Sequence, residues 1–196
     1  MPMKYEAATI KGTKVILGQR SMDNAWDDYT WEKDPELASL DAAPVVDISF
    51  DEYSRDYAED VNTFYPTSRR FAINTLDGKH IGNCSYYNIS EAKGEAELGI
   101  LIGNRNFWNK GYGTDVVNTL VDYVFNETKL NRIYLKTLVL NYRAQKCFQK
   151  CGFTSFRHLN RDGYSFLLME LSRKQWWERQ SKSPLQDNKE IPGRVS

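Results

Sequence analysis

The run Trp108-Asn109-Lys110-Gly111-Tyr112-Gly113-Thr114 constrains the fold more than any other part of the chain, because it joins an apolar strand pattern to an amphipathic helix. Before it stands Ala96-Glu97-Leu98-Gly99-Ile100-Leu101-Ile102. After it, Val116, Val117, Leu120, Val121 and Val124 recur at helical spacing. Two glycines let the backbone approach an anion closely. The first helical turn then offers unpaired N–H groups and the positive end of the helix dipole to phosphate oxygens. Many strand–helix connections use glycine only to turn the chain, so the loop alone does not decide the matter.

A second element downstream adds weight. Asn141-Tyr142-Arg143-Ala144-Gln145-Lys146-Cys147-Phe148-Gln149-Lys150-Cys151-Gly152-Phe153 follows the strand pattern Arg132–Leu140. Asn141 is a good N-cap and Gly152 a good helix stop. Taken together, the two segments resemble the GNAT superfamily of acetyl-CoA-dependent N-acetyltransferases. That family's pattern is a strand, a Gly-x-Gly loop, a helix, a strand, Asn-x-x-Ala and a closing Lys-x-Gly-Phe, here Lys150-Cys151-Gly152-Phe153. The likeness is specific over residues 80–172. It implies an α/β fold with a mixed, splayed sheet of about seven strands flanked by four or five helices.

The rest of the chain sets bounds. At 196 residues and 41% hydrophobic content, a single domain over residues 1–180 is expected, with a flexible tail at 181–196 where Ser, Pro, Gly and charges predominate. The start, Met1-Pro2-Met3-Lys4, shows no signal-peptide pattern, and no stretch reaches the roughly 18 apolar residues of a membrane span. Cys84, Cys147 and Cys151 lack metal-ligand spacing, so no metal site is expected and a cytoplasmic, disulfide-free protein is the simplest reading. Zero net charge and the absence of a basic aromatic stripe argue against nucleic acid.

Other elements read clearly. Lys14–Arg20 has a strand pattern, and residues 22–32 and 35–41 are short helices broken before Pro35. Ser49-Phe50-Asp51-Glu52 is a capping-box signature that opens a helix to about Thr63. Phe71 and Ile73 belong to a strand ended by the Asp77-Gly78 turn, and the next strand runs from His80 to Asn88. Thr154–Asn160 and Tyr164–Leu171 form a closing pair, followed by a helix at Arg173–Gln180 holding Trp176 and Trp177. Exposed sheet edges and the two tryptophans make a homodimer an expectation.

Amide formation from a thioester needs a neutral amine, whereas an alkyl ammonium has a pKa of about 10, so its proton must be removed. Glu97 is the candidate base: on a strand it shares a face with Gly99, Leu101 and Gly103, where glycines leave room for a ligand. The resemblance places a general-base glutamate in a similar Ala-Glu-Leu setting. It further implies that Leu101, Ile102 and Gly103 pair with the pantetheine arm, and that Asn109, Lys110, Gly111, Tyr112, Gly113 and Thr114 hold the pyrophosphate. Asn141 then serves as cap and as pantetheine or water ligand, beside Ala144 and Phe148. Trp108 stands where many relatives carry Gln or Arg, and is expected to pack beneath the loop. Arg105, Lys110, Lys146 and Lys150 are candidate cations for the cofactor's phosphates, with ordinary solvated charge the alternative reading of each.

Phe148 occupies the position of a tyrosine that protonates the leaving thiolate in many family members. Phenylalanine cannot do so, which leaves Tyr142, Cys147, Tyr86, Tyr87 or water. Members resembling the ribosomal-protein N-terminal acetyltransferases also lack that tyrosine, and this branch is the nearest match. His80 and His158 read as structural.

Residues 23–60 carry thirteen carboxylates against only Lys33 and Arg55. In the family this segment forms a wall of the acceptor cleft, so a cationic acceptor is expected: a polyamine, an aminoglycoside-like amine or a basic peptide N-terminus. Asp27, Asp28, Tyr29, Trp31, Glu32 and Tyr86 are the candidate acceptor contacts. The competing class is a non-catalytic acyl-CoA-binding module of the same fold. A dinucleotide-binding reading fails because Val116 stands at the third glycine position of Gly-x-Gly-x-x-Gly.

Overall fold

The computed structural model describes residues 9–182, so the expected start and residues 183–196 of the expected tail lie outside the described residues, while Ser181 and Lys182 complete the last helix rather than opening the tail. The strands are β1 (Ile10–Lys11), β2 (Val15–Gly18), β3 (Ser68–Thr75), β4 (His80–Ser90), β5 (Glu95–Ile102), β6 (Arg132–Leu138), β7 (Thr154–Arg161) and β8 (Tyr164–Ser172). The helices are α1 (Ala25–Glu32), α2 (Pro35–Asp41), α3 (Phe50–Asn62), α4 (Tyr112–Glu127), α5 (Tyr142–Lys150) and α6 (Arg173–Lys182). One eight-stranded sheet runs in the order β1-β2-β3-β4-β5-β6-β8-β7. The strand beyond the expected seven is β1, a two-residue pairing of Ile10 with Leu17 and Lys11 with Ile16.

Local chemistry explains the boundaries. Ser49 and Glu52 close the expected capping box on α3. Asp34 caps α2 by accepting from the Glu36 and Leu37 N–H groups, and Pro35 fits the first turn, where its missing N–H costs nothing. Ala42 ends α2 in the left-handed region at φ 52°. Gly78 takes φ 88° in the β3–β4 turn, a conformation that suits glycine.

Strand alternation sends residues to two faces. On one, Phe71, Ile81, Ala96, Leu98, Ile133 and Leu135 pack with Val116, Val117, Leu120, Val124 and Phe125 of α4 in the main core. A smaller cluster of Ala25, Tyr29, Tyr53 and Tyr57 joins α1 to α3.

The central irregularity lies between β5 and β6, the one parallel pair in the sheet. Their ladder covers only Glu95–Arg132, Ala96–Ile133 and Glu97–Tyr134. Beyond Glu97, β5 continues against β4 as far as Ile102, while β6 continues against β8 as far as Leu138. The two strands part, and β5 is left without a strand partner on that side from Leu98 onward. The sheet is splayed as the sequence resemblance implies.

Candidate active site

A cavity of about 540 Å³ opens where the strands part. It is lined by Ile100, Leu101 and Ile102 of β5, by Trp108, Asn109, Gly111, Gly113 and Thr114 of the glycine loop, and by Asn141, Ala144 and Phe148 of α5. Ten of the expected cofactor residues therefore meet in one space. Gly103, Lys110 and Tyr112 do not line it. A Cβ on Gly103 would run into the Trp31 indole, and Tyr112 packs edge-on against Phe107 at 4.9 Å.

The loop has the makings of an anion cradle. Gly111 is the N-cap of α4, in the left-handed region at φ 84°, with no side-chain cap to satisfy the first-turn N–H groups. A Cβ on Gly113 would meet only Cys147 Sγ at 3.5 Å, so the approach to that turn is open. Cations surround it. Arg143, Lys146 and Lys150 line the cavity, and Lys14 Nζ donates to the Lys110 carbonyl at 3.0 Å. Asp115 fixes the β1–β2 turn to α4 by accepting from Lys14 N–H at 2.7 Å and Val15 N–H at 3.1 Å. Trp108 braces the loop: its Nε1–H donates to the Ile102 carbonyl at 2.6 Å, and the Arg143 guanidinium stacks 3.2 Å from its ring centroid. Asn141 Oδ1 accepts from Ala144 N–H at 3.1 Å, the expected cap.

A second cavity of about 530 Å³ lies under α1 and α2. Its floor is Asn83, Ser85 and Tyr87 of β4 with Gly99 and Leu101 of β5; its wall includes Arg20, Trp31, Glu32 and Arg70. Leu37, Asp41, Ile100 and Leu101 line both cavities, so the two meet along the free edge of β5. Among the described residues no group of three His, Cys, Asp or Glu side chains is placed to hold a metal ion. No helix of the described residues is long and apolar enough to cross a membrane.

The family profile described as Acetyltransferase (GNAT) domain matches residues 19–154. The chain belongs to the GNAT acetyltransferases. It is an acetyl-CoA:amine N-acetyltransferase, and acetyl-CoA is its co-substrate. An uncharacterised N-acetyltransferase, p20, of Bacillus licheniformis is 32% identical over 149 residues, 74% of this chain and 82% of that protein. The spermidine N(1)-acetyltransferase of Vibrio cholerae serotype O1 is 30% identical over 111 residues, 57% of this chain and 62% of that protein. The crystal structure of spermidine N-acetyltransferase from Vibrio cholerae, in complex with CoA and spermine, shares the fold. Its TM-score is 0.73 at 22% identity, over 83% of this chain and 98% of that one.

Within this GNAT frame the expected acceptor residues separate. Trp31 and Glu32 line the second cavity. Trp31 packs tilted against His80 with ring centroids 5.0 Å apart, and Glu32 accepts from Tyr53 Oη at 2.9 Å. Burial at the cavity wall pushes the Glu32 carboxyl up. Asp27 lines neither cavity, and Tyr29 is packed between α1 and α3 with its hydroxyl donating to the Ile48 carbonyl at 2.9 Å. Tyr86 points to the opposite face, in the main core beside Phe71. Its neighbour Tyr87 takes the cavity position, because register pairs Tyr87 with Glu97 and Tyr86 with Leu98.

Asp28 is a buried hub, with none of its side chain exposed. It accepts from Tyr57 Oη at 2.7 Å, His80 Nε2 at 2.9 Å and Asn83 Nδ2 at 2.7 Å, with Arg20 at 3.4 Å. Burial alone would raise its carboxyl, but the hydrogen bonds from His80, Tyr57 and Asn83 outweigh that and hold it below the usual carboxylate range. It shapes the cleft from behind.

Glu97 is buried on the expected strand face and lines neither cavity. Lys136 Nζ stands 3.1 Å from its Oε1, and Asn88 Nδ2 donates to Oε2 at 3.0 Å. Arg105 is likewise committed, to Asp34 and Glu36 at 2.8 Å each. Trp176 donates to Asp122 at 2.6 Å and packs on Phe125, so of the two tryptophans only Trp177 offers an exposed face.

Sequence reading missed Lys14, Asp41, Arg143, Asn83 and Ser85 as site residues, and it named Tyr87 only as an alternative proton donor to the leaving thiolate. For the last three, period-two alternation along β4 opposite Glu97, Gly99 and Leu101 carried the signal. For Lys14 and Asp41, only the tertiary fold brings them to the site.

Proposed function

We propose that this enzyme acetylates a cationic primary amine, with direct attack in a ternary complex. The carrying observation is that two cavities of opposite character meet along the unpaired edge of β5. Cations surround the first, which suits an anionic, phosphate-bearing ligand. In the second, Arg20 pairs with Asp28 at 3.4 Å and with Asp60 at 2.9 Å, and Arg70 pairs with Asp60 at 2.6 Å, so two carboxylates behind the wall balance its two cations and Glu32 and Asp41 are left as its carboxylates. Such a wall favours a cation over an anion. The names of the relatives, among them a spermidine acetyltransferase, support a polyamine-like acceptor.

The residues of the first cavity fit acetyl-CoA. The Gly111–Thr114 turn with Lys146 and Lys150, and Lys14 beside Gly111, would hold the pyrophosphate, and the free edge of β5 at Leu101 and Ile102 would pair with the pantetheine amides. Asn141, Ala144 and Phe148 would flank that arm. The bound cofactor supplies an activated acetyl thioester. Phe148 has no proton to give, and Tyr142 is among the residues that line the same cavity.

The test is chromatographic detection of free coenzyme A after mixing protein and acetyl-CoA with spermidine, spermine, an aminoglycoside and short basic peptides. Amine-dependent release above the amine-free rate is the expected result, and splitting the pool names the acceptor. Release that no amine accelerates would overturn the reading.

A further inference from the structure

We propose that Asp41, at the C-terminal end of α2, is the catalytic residue that takes the proton from the incoming amine. The inference rests on the cationic-amine reading and adds the base to it. Four residues line both cavities, and among Leu37, Asp41, Ile100 and Leu101 only Asp41 ionises. The reacting carbon must sit where an acyl donor in one cavity meets an amine in the other. A base must be within hydrogen-bond reach of that point.

Three further observations agree. Asp41 makes no hydrogen bond or ion pair among the described residues, so its carboxylate is free to receive a proton. It stands on a fixed support: Ala42 and Ala43 N–H groups bond back to the Ser39 and Ala38 carbonyls, closing the helix directly after it. Its side chain is exposed to the open cleft, and the desolvation imposed by the surrounding protein still pushes its carboxyl up, towards a better base. Glu97, by contrast, lines neither cavity: it accepts from Asn88 at Oε2 and faces Lys136 across an ion pair at Oε1.

The groups around Asp41 do not cancel it. From β4, Tyr87 stays neutral, because burial and the nearby Glu97 raise its hydroxyl further. From β6, Lys136 is held by Glu97 and Tyr134 is pushed up by burial. Across the cleft, Glu32 is bound by Tyr53, and Arg20 and Arg70 are tied to Asp60. On the other side of the shared wall, Arg143 is stacked on Trp108 and Lys146 lines the cofactor cavity.

The protons balance. One N–H proton of the ammonium passes to Asp41 and then to solvent through the open cleft. Another is given up as the C–N bond forms and the C–S bond breaks, and it ends on the leaving sulfur.

The experiment compares wild type with Asp41→Asn, Asp41→Glu and Glu97→Gln, using spermidine first and then whichever pooled amine turns over. With a working base, kcat/KM stays nearly flat from about pH 6 to 9, since the bound ammonium is the reactive form. Asp41→Asn should then depend on free amine, rising about tenfold per pH unit, with CoA affinity by calorimetry changed less than about twofold. Asp41→Glu should restore the flat profile at a lower rate. An unchanged profile in Asp41→Asn, or the slope appearing in Glu97→Gln instead, would overturn the assignment. If wild type acetylates no amine, the acceptor reading fails on its own. Calorimetry of spermidine on the CoA-loaded protein then still reads Asp41, and equal affinity in wild type and Asp41→Asn would overturn its contact with the amine.

Discussion

The two cavities are nearly equal in volume, about 540 and 530 Å³, yet they are built differently. Most of the cofactor side comes from two short runs of sequence, the glycine loop and the start of α5. Its chemistry is largely backbone: free N–H groups, a strand edge and room left by glycine. The acceptor side is assembled from β4, β5, α1, α2 and Arg20, and its chemistry is side-chain charge. A site written in backbone is local in sequence. A site written in charge depends on which carboxylates the fold buries, pairs or leaves facing the cleft.

The hardest test of that contrast is Asp28→Ala. It would strip the common partner from Tyr57, His80, Asn83 and Arg20 at the back of the acceptor cleft. Breaking a buried charged network typically costs about 3–5 kcal/mol. A fall of that size in urea-unfolding stability is expected, with the acceptor KM raised in whatever remains folded and CoA affinity largely kept. A parallel tenfold loss of CoA affinity would mean that the two cavities are not separable. The same residue gives a pH prediction. Its carboxyl is depressed in the folded state, so its stabilisation is present above the unfolded value near 3.8 and is lost as pH falls through the lower folded value. Wild type should therefore lose stability more steeply than Asp28→Asn as pH falls below 3.8.

Next in size is Gly103→Ala. The added Cβ would run into the Trp31 indole, the roof of the acceptor cleft. Overpacking of this kind costs about 1–3 kcal/mol. The expected result is a KM for the amine raised severalfold, with the Kd for CoA close to wild type. Loss of CoA binding alone would place Gly103 on the cofactor side, where the sequence resemblance put it.

The glycine loop should behave in the opposite sense. Gly113→Ala adds a methyl group in ordinary contact with Cys147 Sγ, 3.5 Å away, and replaces glycine by a better helix former. Stability should hold, or rise by up to about 1 kcal/mol. CoA affinity should fall about tenfold, close to 1.4 kcal/mol, if the backbone there must approach phosphate. A variant that binds CoA as wild type does would show that the turn is not a cradle.

The same contrast explains what the sequence revealed. Helix and strand spans were legible because Val116, Val117, Leu120 and Val124 repeat at helical spacing, and because Ser49, Pro35 and Gly78 mark boundaries by local chemistry. The cofactor loop was legible for the same reason. The acidic segment was legible only as a total of charge. Nothing local distinguishes Asp28, which the fold buries under four partners, from Asp41, which it leaves at the junction of two cavities. Tyr86 and Tyr87 differ by one residue, and the β4–β5 register alone decides which ring faces the cleft.

The smallest expected effect probes the seam between the two regions. Arg105 sits just before the glycine loop and holds Asp34 and Glu36 at the start of α2, the helix that carries Asp41. Half-exposed ion pairs contribute about 0.2–1 kcal/mol and weaken with salt. Arg105→Ala should therefore change stability by less than about 1 kcal/mol. Because α2 borders both cavities through Leu37 and Asp41, the variant should shift CoA and amine binding together, each by less than about threefold, and high salt should bring wild type towards the variant. A change confined to CoA would mean that Arg105 acts as a phosphate cation, as its basic charge alone suggests, and that α2 is positioned by its packing rather than by this tether.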